Sequence, residues 1–250
     1  EMCDSDWSSD VCSSDLVGSG HEKPRFTFAL PIVLNAELKG LLILASGDET
    51  NYEVSDLSFL YHVANQLSTV FSAFSRMRQL AIHDPLTGLY NRLHLEAELH
   101  SIFERCERYK RPLSIVIMDL DHFNRVNNTY GHGTGDIVLK EFAELLRKTG
   151  RSADVTGRYG GEEFLVILPE CAEEGARIYA NRVLEEVNNH VFDAGQHDLN
   201  VTVSLGLATV QGAELSDVEP EKIVEHADEA LYKAKHAGRN CFRLYQTPHA

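Results

Sequence analysis

Adjacent carboxylates after a glycine pair are the first feature of this sequence that could do chemistry. Glu162 and Glu163 follow Gly160-Gly161, and an apolar, β-branched run over 164–168 comes next. Paired glycines permit the positive φ of a tight two-residue turn, so we expect both carboxylates at the tip of a hairpin. Neighbouring carboxylates repel one another unless a cation joins them, and Mg²⁺ prefers carboxylate and phosphate oxygens. Taken alone, the motif fits a solvated acidic turn better.

A second acidic group lies upstream. The apolar run Leu113–Met118 predicts a central strand, and it ends in Asp119, with Asp121 two residues further on. Acidic residues at the end of a buried strand are unfavourable unless they are paired or bind a metal. Asp119 and Glu162 together could hold the two ions of a site that clamps the attacking and leaving oxygens in phosphoryl transfer.

Further segments fit the same interpretation and carry a family resemblance. They are Asp84–Arg92 (Asp-Pro-Leu-Thr-Gly-Leu-Tyr-Asn-Arg), Asp119–Asp121, Asn127, Gly131-His132, Gly135-Asp136, Gly160–Phe164, Ala227–Lys235 and Gly238–Asn240. In these segments the sequence resembles the GGDEF family of diguanylate cyclases, in the variant that reads Gly-Gly-Glu-Glu-Phe. Each motif is weak alone, but the set occurs in family order and spacing.

The resemblance implies an enzyme that condenses two GTP molecules, one held by each chain of a homodimer, into cyclic di-GMP and two pyrophosphates. It implies two Mg²⁺ per active site, with Mn²⁺ as an alternative. The metal ligands would be Asp119, the Leu120 carbonyl and Glu162. Either Glu162 or Glu163 would take the proton of the attacking hydroxyl, and the sequence does not choose between them.

The resemblance also assigns the substrate contacts. Lys235 and Arg239 match the triphosphate-binding pair, and at four residues apart near a helix end they would face one way. A solvated basic face is the simpler alternative. Asn127 and Asp136 match the residues that read guanine. His132 lies near this pocket in sequence, although a structural turn residue is an equally good interpretation.

One position departs from the family pattern. The family has Lys five residues after its first metal-binding Asp, and this sequence has Asn124 there. A phosphate-contacting cation is therefore lost, and Arg125 need not point the same way. Since a hydrogen bond to a charged group is worth roughly 1.5–3 kcal/mol, we expect weaker GTP binding.

A product-inhibition site is implied by Arg151 and Asp154. They form an Arg-x-x-Asp motif nine residues before Gly160, and Arg182 lies where a second inhibitory arginine is expected. Arginine suits paired recognition of phosphate and guanine. We place the motif on the strand that leads into the hairpin, with a surface ion pair as the alternative.

Composition sets broader limits. The chain has 250 residues and a net charge of −15, which disfavours binding to nucleic acid or to anionic membranes. No apolar run is long enough for a transmembrane helix. Five cysteines without metal-like spacing suit a reducing cytoplasm.

Residues 1–20 have no secondary-structure period. Val11–Leu16 can be encoded by GTG TGC TCT TCC GAT CT, so we interpret this segment as the translation of a sequencing adapter, with a natural disordered acidic tail as the alternative. We exclude it from fold reasoning and expect the natural protein to extend further upstream.

Residues 21–75 resemble the C-terminal part of a GAF-type sensory domain. The sequence predicts strands over 25–34 and 39–45, joined by a hairpin connection at 35–40. A helix should follow from Ser55, a good N-cap, and continue through a helical linker over 76–83. Its apolar stripe has heptad-like spacing: Leu57, Leu60, Ala64, Leu67, Phe71 and Phe74. The stripe could pack on its own sheet, on a second chain, or on each in turn.

The remaining residues, 84–250, form the predicted catalytic domain. His83-Asp84-Pro85 should end the incoming helix, and Asn91 should cap a helix over 92–109. Helices over 135–149, 172–189 and 220–237 alternate with a hairpin, a strand over 199–208 and an edge strand over 241–245. This order predicts an α+β fold, and the resemblance implies a ferredoxin-like palm of the nucleotidyl-cyclase kind.

Two other functions remain open. A non-catalytic protein that binds cyclic di-GMP through Arg151 and Asp154 would tolerate Asn124, although the intact Glu162, Asp119 and Lys235 argue against it. A regulatory dimerisation module would act through the N-terminal helix.

Overall fold

The computed structural model describes residues 26–34, 37–46, 54–193 and 197–246. The adapter-like segment 1–20, Arg25 of the first predicted strand and residues 35–36 of the expected hairpin connection lie outside the described residues. The chain divides into two compact units, Glu1–Arg78 and Gln79–Ala250. In the described part of the chain, no helix has the length and apolar character needed to cross a membrane.

The N-terminal unit contains a hairpin and most of a long helix. Strands β1 (Phe26–Leu34) and β2 (Glu37–Ser46) pair in antiparallel fashion. Helix α1 (Val54–Ile82) begins one residue before Ser55, which therefore lies in its first turn and not at the cap. Within the apolar stripe Ala64 is buried, whereas Phe71 and Phe74 are 53% and 65% exposed. The GAF-like interpretation of this unit stays a prediction.

The C-terminal unit is organised around a five-stranded sheet of order β4-β5-β3-β8-β9. Its strands are β3 (Leu113–Leu120), β4 (Val155–Arg158), β5 (Glu163–Pro169), β8 (Val203–Val210) and β9 (Phe242–Leu244). All neighbours are antiparallel except β9, which runs parallel to β8. Every residue of β3 is buried, as its continuous apolar run predicts for a central strand.

Helices cover both faces of this sheet. One apolar core packs α2 (Arg92–Tyr109) and α6 (Pro220–His236) against it. The other core packs α4 (His132–Thr149) and α5 (Glu173–Asn189) against the opposite face, with α3 (Phe123–Tyr130) alongside. The predicted α+β arrangement with an antiparallel-containing central sheet is confirmed.

Glycine sets the distance between α6 and the sheet. A Cβ atom added to Gly206 of β8 would lie 2.0 Å from the carbonyl oxygen of Ala227 in α6. No side chain fits there, so the helix backbone approaches the strand closely. This contact fixes the helix that carries Lys235 at its C-terminal turn.

Several predicted boundaries differ from the observed ones. Asn91 caps α2 as predicted, since its Oδ1 accepts from the His94 amide at 3.0 Å. Helix α3 was not predicted; Gly131, at φ 87°, separates it from α4, which begins at His132 and not at Gly135. The strand predicted from Leu199 begins at Val203. Residues 198–199 form β7 (Asp198–Leu199) instead, paired with β6 (Phe192–Asp193).

Candidate active site

The acidic residues converge where β3 ends and β5 begins. Asp119 and Glu163 are directly paired across the two strands. The Leu120 amide donates to the Glu162 carbonyl at 3.3 Å, so the loop before β5 is held beside the end of β3. The pairing register of one antiparallel ladder therefore brings together all four residues predicted for metal binding and proton transfer.

Asp119 is ion-paired with the predicted triphosphate ligand. Lys235 Nζ lies 2.8 Å from Asp119 Oδ2, and the Asp119 side chain is only 10% exposed. Burial raises the pKa of Asp119, an effect that Lys235 opposes and the neighbouring Asp121 reinforces. The carboxylate thus lies in a site that disfavours its charge unless a cation is present.

The surroundings of Glu162 also disfavour its ionised form. Burial and the nearby Asp119 carboxylate raise its pKa, with Lys235 acting in the opposite direction. Among the described residues no three His, Cys, Asp or Glu side chains form a metal-binding group. The donors that remain are two crowded carboxylates and a strand-end carbonyl, which fit a hard cation that completes its shell with phosphate oxygens and water.

The turn before Glu162 is not the tight turn predicted from its glycines. Neither Gly160 nor Gly161 is among the positive-φ residues of the described chain. The Tyr159 and Gly160 amides both donate to the Glu163 carbonyl, at 2.8 and 3.2 Å, and Arg158 donates to the Gly161 carbonyl at 2.6 Å. These bonds hold a wider loop. A Cβ atom at Gly161 would meet nothing within 4 Å, so the loop backbone is open to a ligand.

Asp121 has a structural role that sequence reasoning missed. It is buried, and its carboxylate accepts from the Thr202 and Ser204 hydroxyls, each at 2.7 Å. It also accepts from the backbone N–H of Asn240 at 3.0 Å. Asp121 therefore fixes the loop that contains Arg239. The signal in the sequence was a second acidic residue just beyond a buried strand, which requires partners wherever it lies.

The two basic residues do not lie on one helix face. Lys235 is in the last turn of α6, whereas Arg239 lies beyond the helix in a left-handed conformation with φ 63°. The i,i+4 argument is therefore wrong for this pair. The positive charge of Arg239 nevertheless lowers the pKa of Asp119, as one of the smaller contributions there. The loop held by Asp121 thus brings Arg239 to the same site by a different route.

The predicted guanine-reading residues lie on two adjoining helices. A Cβ atom on Gly135 would come within 2.0 Å of Oδ1 of Asn127, so only glycine lets the half-buried Asn127 of α3 pack against α4. Asp136 follows Gly135 and is exposed, as is His132 at the start of α4. Asn124 and Arg125 are exposed on α3.

The predicted inhibitory residues line one crevice. Arg151, Asp154 and Arg182 surround it together with Tyr179 and Cys171. Arg151-Ser-Ala-Asp154 forms a turn and not a strand, because the Asp154 amide donates to the Arg151 carbonyl at 3.0 Å. Asp154 Oδ2 in turn accepts from the Arg151 backbone amide at 2.7 Å. The carboxylate is therefore used to shape the loop.

The junction before α2 does more than end α1, which stops at Ile82, directly before the predicted break at His83-Asp84-Pro85. Asp84 Oδ1 accepts from the Thr87 amide and hydroxyl, at 2.8 and 2.7 Å, and Arg158 Nη1 lies 3.3 Å from both Asp84 oxygens. Arg147 Nη2 donates to the Thr87 carbonyl at 2.8 Å. Since Arg158 also holds Gly161, the junction is joined directly to the loop before Glu162.

Comparison with known proteins identifies the family of the C-terminal unit. Residues 81–241 match the family described as "Diguanylate cyclase, GGDEF domain". The chain is 40% identical over 164 residues to response regulator PleD of Caulobacter vibrioides, covering 65% of this chain and 36% of PleD. It is 38% identical over 174 residues to diguanylate cyclase DgcS of Shewanella oneidensis, covering 70% of this chain and 56% of DgcS. The matched part of the chain thus spans about a third of the length of PleD and just over half of the length of DgcS.

A solved structure gives the same result for the fold. The coiled coil and GGDEF domain of DgcB from Caulobacter crescentus, in complex with c-di-GMP, superposes with a TM-score of 0.69 at 26% identity. The match covers 76% of this chain and 99% of that one. The mixed sheet with its covering helices is therefore the GGDEF palm, and the chain belongs to the GGDEF domain family of diguanylate cyclases.

Proposed function

We propose that this chain condenses two GTP molecules into cyclic di-GMP and two pyrophosphates. The observation that carries the proposal is the meeting of Asp119, Glu162 and Lys235 at the end of the central strand, beside a loop whose Gly161 is open to a ligand. The diguanylate cyclase name of the DgcS relative and the c-di-GMP bound in the DgcB structure support it. The Gly-Gly-Glu-Glu-Phe signature is the variant we assign to this activity.

Divalent metal ions, Mg²⁺ in the first instance, would be held by Asp119, the Leu120 carbonyl and Glu162. When bound, they would neutralise phosphate charge and orient the reacting oxygens. The two carboxylates fit this role because burial and neighbouring carboxylates disfavour their ionised forms in the absence of added positive charge.

The chain's own residues would position the reaction. Lys235 and Arg239 bind the triphosphate, and Asn127 and Asp136 read the guanine, whose N1–H and N2–H₂ donors adenine lacks. The 3′-oxygen of one GTP attacks the α-phosphorus of the other, its proton passes to Glu162 or Glu163, and the bond to the leaving pyrophosphate breaks. The second 3′-oxygen then closes the ring in the same way.

Turnover would need two chains face to face, because each holds one GTP. The exposed Phe71 and Phe74 of the α1 stripe support a homodimer in which this part of the helix packs on its twin, while the buried Ala64 faces its own chain. We assign residues 21–75 to a GAF-like sensory domain, 76–83 to the linker and 84–250 to the catalytic domain. The units at Glu1–Arg78 and Gln79–Ala250 support this division.

Cyclic di-GMP would also inhibit the enzyme through Arg151, Asp154 and Arg182. The crevice they share supports this assignment.

A weak or inactive cyclic di-GMP-binding protein is the second candidate, favoured by Asn124 at the position where the family has Lys.

Incubation of the full chain with GTP and Mg²⁺, followed by separation of the nucleotides, tests the proposal. We expect cyclic di-GMP and pyrophosphate, with specific activity that rises with protein concentration. Absence of product, together with tight binding of added cyclic di-GMP, would favour the second candidate.

A further inference from the structure

A tyrosine that lines the crevice of the inhibitory site has a buried hydroxyl without a partner among the described residues. Tyr179 of α5 is 3% exposed, and its hydroxyl bonds to no residue in the described part of the chain. Buried hydroxyls are nearly always hydrogen-bonded, because burial removes their bonds to water. This hydroxyl therefore calls for an explanation.

Tyr179 belongs to the charged wall of the crevice. Arg151, Asp154 and Arg182 line it with Tyr179, and its volume is about 30 Å³. The central carbon of the Arg182 guanidinium lies 5.9 Å from the centre of the Tyr179 ring. A space of this size accepts one or two groups as large as water, such as phosphate oxygens, and is too small for a guanine base.

The chemistry of the hydroxyl favours an anionic acceptor. Burial and the Asp154 carboxylate raise the pKa of Tyr179, with Arg182 opposing them. The phenol therefore stays protonated at neutral pH and can donate. Its arginine neighbours have no acceptor atoms, and the Asp154 carboxylate, which accepts from the Arg151 amide, makes no hydrogen bond to the hydroxyl. An oxygen of a ligand drawn in by two guanidinium groups is the suitable partner.

We propose that Tyr179 is a binding residue of the inhibitory site and donates a hydrogen bond to a phosphodiester oxygen of cyclic di-GMP. This inference rests on the proposed product inhibition. The guanidinium groups of Arg151 and Arg182 supply attraction to the phosphates, and the phenol fixes the position of one oxygen at the crevice. Leu168 lines the same crevice, and its apolar surface limits competition from water.

Calorimetric titration of the full chain with cyclic di-GMP tests the proposal with the variant Tyr179→Phe. We expect its Kd to rise about tenfold or more, the effect of losing a hydrogen bond to a charged group. Its melting temperature without nucleotide should be unchanged or higher, because an unbonded hydroxyl is removed from the interior. Tyr109→Phe is the matched control, since Tyr109 is 64% exposed and ends α2 on the opposite face of the sheet.

The variant Arg151→Ala separates the two proposals. Weaker binding in Arg151→Ala with unchanged binding in Tyr179→Phe would overturn the role of Tyr179 and leave its hydroxyl to a water molecule. Unchanged binding in both variants, or no binding to the unmodified chain, would overturn the inhibitory site itself. The titrations use added cyclic di-GMP, so their outcome does not depend on whether the chain synthesises it. Synthesis is measured in a separate assay.

Discussion

Lys235 Nζ lies 2.8 Å from Asp119 Oδ2, which joins the last turn of α6 to the end of the central strand. The lysine is the predicted triphosphate ligand, and the aspartate is the predicted metal ligand. Without substrate they neutralise one another. We therefore expect Lys235 to be the counter-ion of Asp119 in the absence of substrate. When substrate binds, Lys235 would contact phosphate and Asp119 would bind metal.

The first prediction concerns this pair. Lys235→Met leaves the nearly buried Asp119 without its cation, so we expect unfolding free energy to fall by about 1–3 kcal/mol without metal. Adding Asp119→Asn should recover most of this loss. Denaturant titrations of the single and double variants measure the coupling, and additive effects would mean that the ion pair contributes little.

The second prediction concerns metal binding. Mg²⁺ with GTP should raise the melting temperature of the unmodified chain, because ligands that bind only the folded state stabilise it. Glu162→Gln removes an anionic ligand, so product formation should be abolished and the metal-dependent part of the shift lost. Glu185→Gln, an exposed position on α5, is the control. A full metal-dependent shift in Glu162→Gln would exclude Glu162 as a ligand.

The third prediction concerns the junction. Burial opposes ionisation of Asp84, but the Thr87 hydroxyl and amide and the Arg158 guanidinium hold its pKa below the ordinary value. A lowered pKa contributes stability that is present above the unfolded-state pKa of about 3.9 and is lost as pH falls through the lower folded value. Asp84→Asn should therefore be less stable at pH 7 by about 1–3 kcal/mol and less sensitive to acid below about pH 4. Parallel acid dependence of the two proteins would contradict this.

The fourth prediction concerns base choice. Asp136→Ser removes the acceptor proposed for guanine N1–H and N2–H₂. We expect discrimination between GTP and ATP to fall about tenfold or more in a competition assay. Lys140→Ser, one turn along on the exposed side of α4, controls for changes to the helix. An unchanged preference for GTP would show that Asp136 does not read the base.

The fifth prediction concerns product inhibition. Arg151→Ala should raise the inhibition midpoint of cyclic di-GMP about tenfold or more, since a charge-assisted contact is lost. The ratio of rates with and without added product gives the midpoint whatever the variant's basal rate. A midpoint equal to that of the unmodified chain would place the inhibitory site elsewhere.

Strong local signals predicted much of the fold. The apolar run before Asp119 predicted the central strand because complete burial leaves little other composition possible. Asn91 predicted the start of α2 because its side chain replaces a missing backbone partner. The loop at Gly160 was predicted wrongly, since its shape depends on bonds from Arg158 and to Glu163 that composition does not reveal.

Site residues brought together by tertiary contacts were harder to place. Lys235 and Asp119 meet only because α6 packs closely on β8, and the resemblance identified both without predicting their contact. The position of Arg239 depends on the Asp121 loop, so helical spacing gave the wrong geometry. The periodicity of a local sequence predicts neither the contact between Lys235 and Asp119 nor the position of Arg239.

The hydrogen bonds around Asp84 make the junction stiff. The turn is bonded to Arg158, which holds the loop before Glu162, and through Thr87 to Arg147 at the end of α4. Asn91 is bonded to the carbonyls of Ala81 and Ile82, the last residues of α1. A segment with so many internal bonds does not act as a hinge. Any torque on the end of α1 would therefore displace the loop before Glu162 and would not be absorbed by the junction.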